Sequence, residues 1–377
     1  MSEERRENSG VKRILAIIIA IIIALCLVFV YLHYFPGILD GGDNDIDELP
    51  DWYVPAPSNL ATPDWTLDMT QVADMQSRGF DGTGIVIGIV DTGIDDSHTE
   101  FAPDTIIAWR DFVNSRTEPY DDGGHGTAMA SIIVANGKLT GIAPMAKLMV
   151  AKAIPGSGGG DDATVAAAID WCVDPNGDGD TSDGAHIISL SLGGGEHPKF
   201  GSESGTAARN AAEKGVVVVA SAGNDGEADD GDVESPASEE YVIAVGAIDS
   251  SGTIASFSSI GDNDGKSQQA WDDRTDPNKK PECVAPGVNI VAAFPGDRYA
   301  TVSGTSPAAA FVTGVIALAL DENPDYLASG SSAKVLELKN AIMQTSEKMA
   351  TQEIPHDGYY GYGLIQAADL SDALQTQ

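Results

Sequence analysis

Basic residues are scarce in this chain. Lysine and arginine total 21 against 57 aspartate and glutamate, leaving a formal net charge of -36 over 377 residues. A surface of that sign repels phosphate backbones and anionic headgroups, which excludes nucleic acid as the main partner. Cysteine is scarcer still, with 3 residues at positions 26, 172 and 283, too few for a disulfide framework. Cys26 lies in an apolar run, so Cys172 and Cys283 are the one available pair. Nothing in the sequence brings them together, and free thiols are expected. No internal repeat is found. Length and a 42% hydrophobic content leave room for one large domain or two average ones.

What the chain does have begins at its N-terminus. "ILAIIIAIIIALCLVFVYLHYF", residues 14–35, is long enough to cross a bilayer, which takes roughly 20 apolar residues. Arg5, Arg6, Lys12 and Arg13 precede it, and acidic residues follow it. The positive-inside rule then puts residues 1–13 in the cytoplasm and everything after the span outside. "VYLHYFPGIL" offers no small-residue cleavage site, so an uncleaved, single-pass anchor in the cell membrane is expected rather than a signal peptide. Residues 36–58, rich in Gly, Asp and Pro, read as an extended acidic linker, and residues 59–377 as one domain.

Within that domain short apolar runs alternate with helical patterns. "GIVIGIVD", "AKLMVAKAI", "AHIISLSLGG", "GVVVVASAGN" and "YVIAVGAID" read as buried strands. "DDATVAAAIDWCV" and "SESGTAARNAAEKG" read as helices, with more at 306–320, 332–345 and 363–374. The alternation predicts an α/β fold of three layers, a mostly parallel sheet with helices on both faces. In such sheets ligands bind beyond the carboxyl ends of the strands. Asp91, Ser191 and Asn224 end strands, while His125 and Ser306 open helices.

Each residue has an ordinary reading on its own. Asp91 suits a turn, His125 a surface position, and Ser306 a helix cap with Pro307 beside it. Together, and in the order Asp, His, Ser, they have the makings of a nucleophile, a base and an orienting carboxylate. The flanks are suitable too. Gly93 and Gly126 allow close backbone approach, and a helix opening at Ser306 aims N–H groups at a developing oxyanion.

On the segments "IVDTGID", "GHGT", "SLGGG", "ASAGN" and "SGTS" the chain resembles the subtilisin-like serine protease family, over roughly residues 64–374. The resemblance implies a serine endopeptidase acting through an acyl-enzyme. Asp91, His125 and Ser306 would be its triad, with Asn224 as an oxyanion donor. These roles are inherited from the subtilisin-type template. The resemblance also implies that Ser191, Leu192, Gly193 and Gly194 pair with extended polypeptide substrate, facing "PGSGGG" at 155–160. Asp225 and Glu234 would then face the primary pocket, where a carboxylate favours Lys or Arg before the scissile bond.

The chain also departs from the family. Ala128 stands where a second His is usual, and Pro307, Ala310 and Phe311 replace Met, Pro and His after the nucleophile. No folded propeptide is evident between the apolar run and the domain. These departures keep two other readings open: a catalytically impaired surface binding module and a structural envelope protein. Finally, "DPNGDGDTSDG" offers oxygen ligands at Asp174, Asn176, Asp178, Asp180 and Asp183, a pattern suited to structural Ca2+. The loop "ANGKLTG" is too short for the calcium loop usual in the family after the histidine helix.

Overall fold

The structure is a computed structural model and describes residues 49–193, 202–226, 233–261, 274–329 and 331–375. The apolar run at 14–35, the basic N-terminus and Gly194 lie outside the described residues. Among those described, no helix is long and apolar enough to cross a membrane.

Among the described residues seven strands form a parallel sheet in the order β3-β4-β2-β5-β6-β7-β8. They are β2 (Val86–Asp91), β3 (Ile106–Asp111), β4 (Lys147–Lys152), β5 (Ile187–Leu190), β6 (Val217–Ser221), β7 (Ile243–Ile248) and β8 (Cys283–Pro286). Successive residues of a strand point to opposite faces, so a sheet covered on both sides needs nearly continuous apolar runs. Ile87, Ile89, Leu148, Val150, Ile187, Val217 and Val219 pack into one core. Their neighbours Val90, Met149, Ala151, Ile188, Leu190, Val218 and Ala220 pack into the other.

Helices α3 (His125–Val134) and α6 (Thr305–Glu322) cover the first face, after α1 (Asp64–Met69) and α2 (Val72–Arg78). Helices α4 (Asp162–Val173) and α5 (Glu203–Glu213) cover the second. Asp161 caps α4 by accepting the Thr164 N–H, and Ser202 caps α5 by accepting that of Gly205. Helices α7 (Ser332–Thr345) and α8 (Ala367–Gln375) follow α6. The last begins four residues later than the sequence pattern suggests, because Gly363–Gln366 run as an extended arm: Val284 N–H donates to Gly363 O, and Ile365 N–H to Val284 O.

Periodicity did not reveal a second, antiparallel sheet of order β1-β10-β9. Its strands are β1 (Val54–Pro55), β9 (Ile290–Phe294) and β10 (Arg298–Val302). Val54 pairs with Thr301 and Pro55 with Ala300. The described end of the stretch read as linker is therefore hydrogen-bonded to the body of the fold. Cys172 and Cys283 are free and buried, in different cores, and burial pushes both thiols well above their ordinary pKa.

Candidate active site

Strand β2 sits where the chain order reverses, flanked by β4 and β5. It ends on Asp91, and α3 opens with His125 beside it. The two helical and strand ends meet because neither has a side chain at the crossing. A Cβ on Gly126 would stand 2.2 Å from the Gly93 carbonyl oxygen, and one on Gly93 would stand 2.0 Å from that of Tyr120. His125 Nδ1–H donates to Asp91 at 2.8 and 3.0 Å from the two carboxylate oxygens. Asp91 is buried, while the imidazole keeps 28% of its surface open. Burial pulls the His125 pKa down. The Asp91 charge and hydrogen bond, with Asp121 behind them, outweigh that and raise it above its ordinary value.

Asp121 is a site residue that sequence reasoning missed. One of its oxygens accepts from Thr92 Oγ1 at 2.8 Å, Gly123 N–H at 3.1 Å and Gly124 N–H at 2.7 Å. The other accepts from Thr127 N–H at 2.8 Å and Thr127 Oγ1 at 2.6 Å. It ties the end of β2 to the turn and first residues of α3, so it sets where the imidazole sits. The available signal was the run Asp121-Asp122-Gly123-Gly124, the mark of a side chain bonding its own turn. Lys152 was also missed. Its fully buried Nζ donates to Thr92 O and Asp122 Oδ1, both at 2.5 Å, under the same turn.

Ser306 is not the cap of α6. Gly304 holds that position, and Ser306 lies within the first turn. Its Oγ donates to Ser191 O at 3.1 Å, and Ser191 Oγ donates back to Ser306 O at 3.2 Å. Among the described residues no hydrogen bond joins Ser306 to His125. Asn224 stands beside this helix start, where Thr305 N–H and Oγ1 donate to its Oδ1 at 2.9 and 3.2 Å. That fixes the amide and leaves its NH2 group as a donor.

Asp91, His125, Ser191, Leu192 and Gly193 line one groove of about 1230 Å³, and residues 156–160 line it too. Ser221 Oγ holds Leu192 O at 3.2 Å. Of the two carboxylates expected at the pocket, Glu234 lies against this segment. A Cβ on Gly193 would be 2.2 Å from Glu234 Oε2, and one on Gly223 would be 2.8 Å from Oε1. Asp225 is exposed, with its N–H 3.4 Å from Ser259 Oγ.

In the acidic loop the oxygens of Asp174 accept N–H groups from Gly177 at 2.8 Å and Gly179 at 2.9 Å. Asn176 Nδ2 donates to Asp183 at 2.8 Å, and the N–H groups of Asp180 and Ser182 go to Asp178 and Asp180. The donors are all oxygen, as calcium requires. Among the described residues, however, no group of three or more His, Cys, Asp or Glu converges to hold a metal ion. The shortened loop after α3 has the opposite polarity. Gly137, Lys138 and Leu139 turn their N–H groups onto the buried Glu100 carboxylate, with the Tyr299 hydroxyl at 2.8 Å. This loop presents donors to an anion, not carbonyls to a cation.

A profile of the subtilase family matches residues 82–363. The chain belongs to this family. It is similar to subtilisin DY of Bacillus licheniformis, at 32% identity over 295 residues, covering 77% of this chain and 92% of that protein. It is also similar to subtilisin NAT of Bacillus subtilis subsp. natto, at 31% over 77% of this chain and 66% of that one. Subtilisin Savinase of Lederbergia lenta matches at 29%, over 80% of this chain and 96% of its own length. As a subtilase the protein is a serine-type endopeptidase, and structural calcium is common among its relatives.

Proposed function

We propose that Asp91, His125 and Ser306 are the catalytic triad and that polypeptide substrate lies along Ser191–Gly193. The observation that carries this is the Asp91–His125 pair at 2.8 Å in one groove with Ser191, the residue whose carbonyl holds Ser306 Oγ. Substrate entry would turn Oγ from Ser191 O to His125 Nε2. Ser306 Oγ then bonds to the scissile carbonyl carbon while His125 takes its proton. The C–N bond breaks as His125 hands that proton to the leaving amine, and water repeats the sequence to release the acid. Asp91 keeps the proton on Nδ1. The Asn224 amide and the Ser306 N–H bind the oxyanion.

Three finer readings go with this. Glu234, against Gly193 and Gly223, favours Lys or Arg before the scissile bond. Calcium, if held, would take Asp174, Asn176, Asp178, Asp180 and Asp183 as ligands and act on stability alone. The run at 14–35 anchors the enzyme with its catalytic domain outside, supported by the basic residues before it. The deciding experiment is fluorophosphonate labelling of the wild type beside Ser306→Ala. Label on the wild type alone supports the triad. No label on either would favour the impaired binding protein. Membrane fractionation with N-terminal sequencing tests the anchor, and a soluble chain starting near Asn59 would refute it.

A further inference from the structure

The segment that precedes the family match enters the groove. Leu49, Pro50, Asp51 and Trp52 line it together with His125 and Ser191. The Trp52 indole stands edge-on to the His125 ring, with centroids 6.2 Å apart and planes at 90°. It also packs on Phe294 at 5.6 Å, and Tyr53 packs on the same ring at 4.6 Å. Phe294 in turn lies under the turn that delivers His125, since a Cβ on Gly124 would be 2.4 Å from its ring.

This placement is built into the fold. Tyr53 N–H closes a turn onto Pro50 O at 2.8 Å, β1 pairs with β10, and Ala56 N–H reaches Tyr299 O at 3.1 Å. Two aromatic contacts and a strand pairing therefore hold the indole where it is. Trp52 nonetheless keeps 36% of its surface exposed. A large flat ring with open surface in the groove beside that imidazole has more apolar area to bury against a ligand side chain.

We infer that Trp52 is a substrate-binding residue: its indole walls the groove at His125 and selects an apolar or aromatic side chain on the substrate residue just before the scissile one. The acyl side is indicated because Trp52 and His125 line the same groove as Gly156 and Leu192, members of the two segments proposed to hold extended substrate. The inference rests on the proposed triad, and labelling of the wild type tests that separately.

The experiment compares kcat/KM on matched peptides with Phe or Gly at that position, for the wild type, Trp52→Ala and Trp52→Phe. A parallel pair carries Phe or Gly just after the scissile bond. The wild type is expected to prefer Phe roughly tenfold at the first position, the size of an aromatic contact plus burial. Trp52→Ala should bring that ratio near one, and Trp52→Phe should retain most of the preference. A ratio unchanged in Trp52→Ala, or discrimination found only after the scissile bond, overturns the assignment. A uniform rise on every peptide also overturns it, because the segment would then be blocking the groove rather than walling it. If the wild type labels and still shows no Phe preference, this inference fails and the triad stands.

Discussion

His125 and Asp91 share a hydrogen bond to both carboxylate oxygens, at 2.8 and 3.0 Å, and the carboxylate is 2% exposed. The pairing raises the His125 pKa above 6.5 even though burial opposes it. The base must be neutral to take the Ser306 proton, so the acid limb of kcat/KM should fall above pH 6.5. Asp91→Asn removes the raising partner. The limb should move to lower pH, and turnover should drop about 10⁴-fold, a magnitude inherited from the established triad template. The stability effect has the opposite sense. A raised histidine pKa stabilises the fold fully below the unfolded value and is lost as pH rises through the folded one. A pH–rate profile with an unmoved limb in Asp91→Asn would count against the pairing.

Gly126→Ala should abolish labelling without removing any polar group. Its new methyl would meet the Gly93 carbonyl at 2.2 Å, and backbone on backbone has little room to yield. Overpacking of this kind costs about 1–3 kcal/mol. Here it would also push His125 away from Asp91. Labelling rate beside melting midpoint separates the two effects, and a normal rate would show that the crossing tolerates a side chain.

Glu100→Gln should destabilise the protein by about 1–3 kcal/mol through lost charge-assisted bonds to the loop after α3. The buried carboxylate accepts N–H groups from Gly137, Lys138 and Leu139 at 2.9–3.3 Å. Melting of the variant beside the wild type, both in chelator, is the check, and equal midpoints would show that the carboxylate does not hold the loop.

Chelator should lower the melting midpoint of the wild type if the Asp174–Asp183 loop closes on calcium. An ion at about 100 times its dissociation constant adds about 2.7 kcal/mol to the folded state. Asp178→Asn with Asp180→Asn should remove the chelator response. An unchanged wild-type midpoint, at constant high ionic strength, rules calcium out of the stability of this chain.

The sequence alone determined the parallel sheet, since apolar runs such as Ile187–Leu190 and Val217–Ser221 have no other stable use than burial on both faces. It also marked the residues proposed for the site, because Asp91, His125, Asn224 and Ser306 carry their glycine neighbours with them along the chain. Tertiary structure alone decided what depends on contacts distant in sequence. Asp121 acts by gathering five donors from Thr92 just past β2, the turn and α3; its Asp-Asp-Gly-Gly run marks a turn but not the reach to Thr92 and Thr127. Strand β1 is two residues long and has no periodicity to read; its partner lies 247 residues away, at Thr301. Trp52 looked like part of a linker for the same reason. An aromatic side chain's role is set by the ring it packs on, and Phe294 and His125 reach it only when the chain has folded.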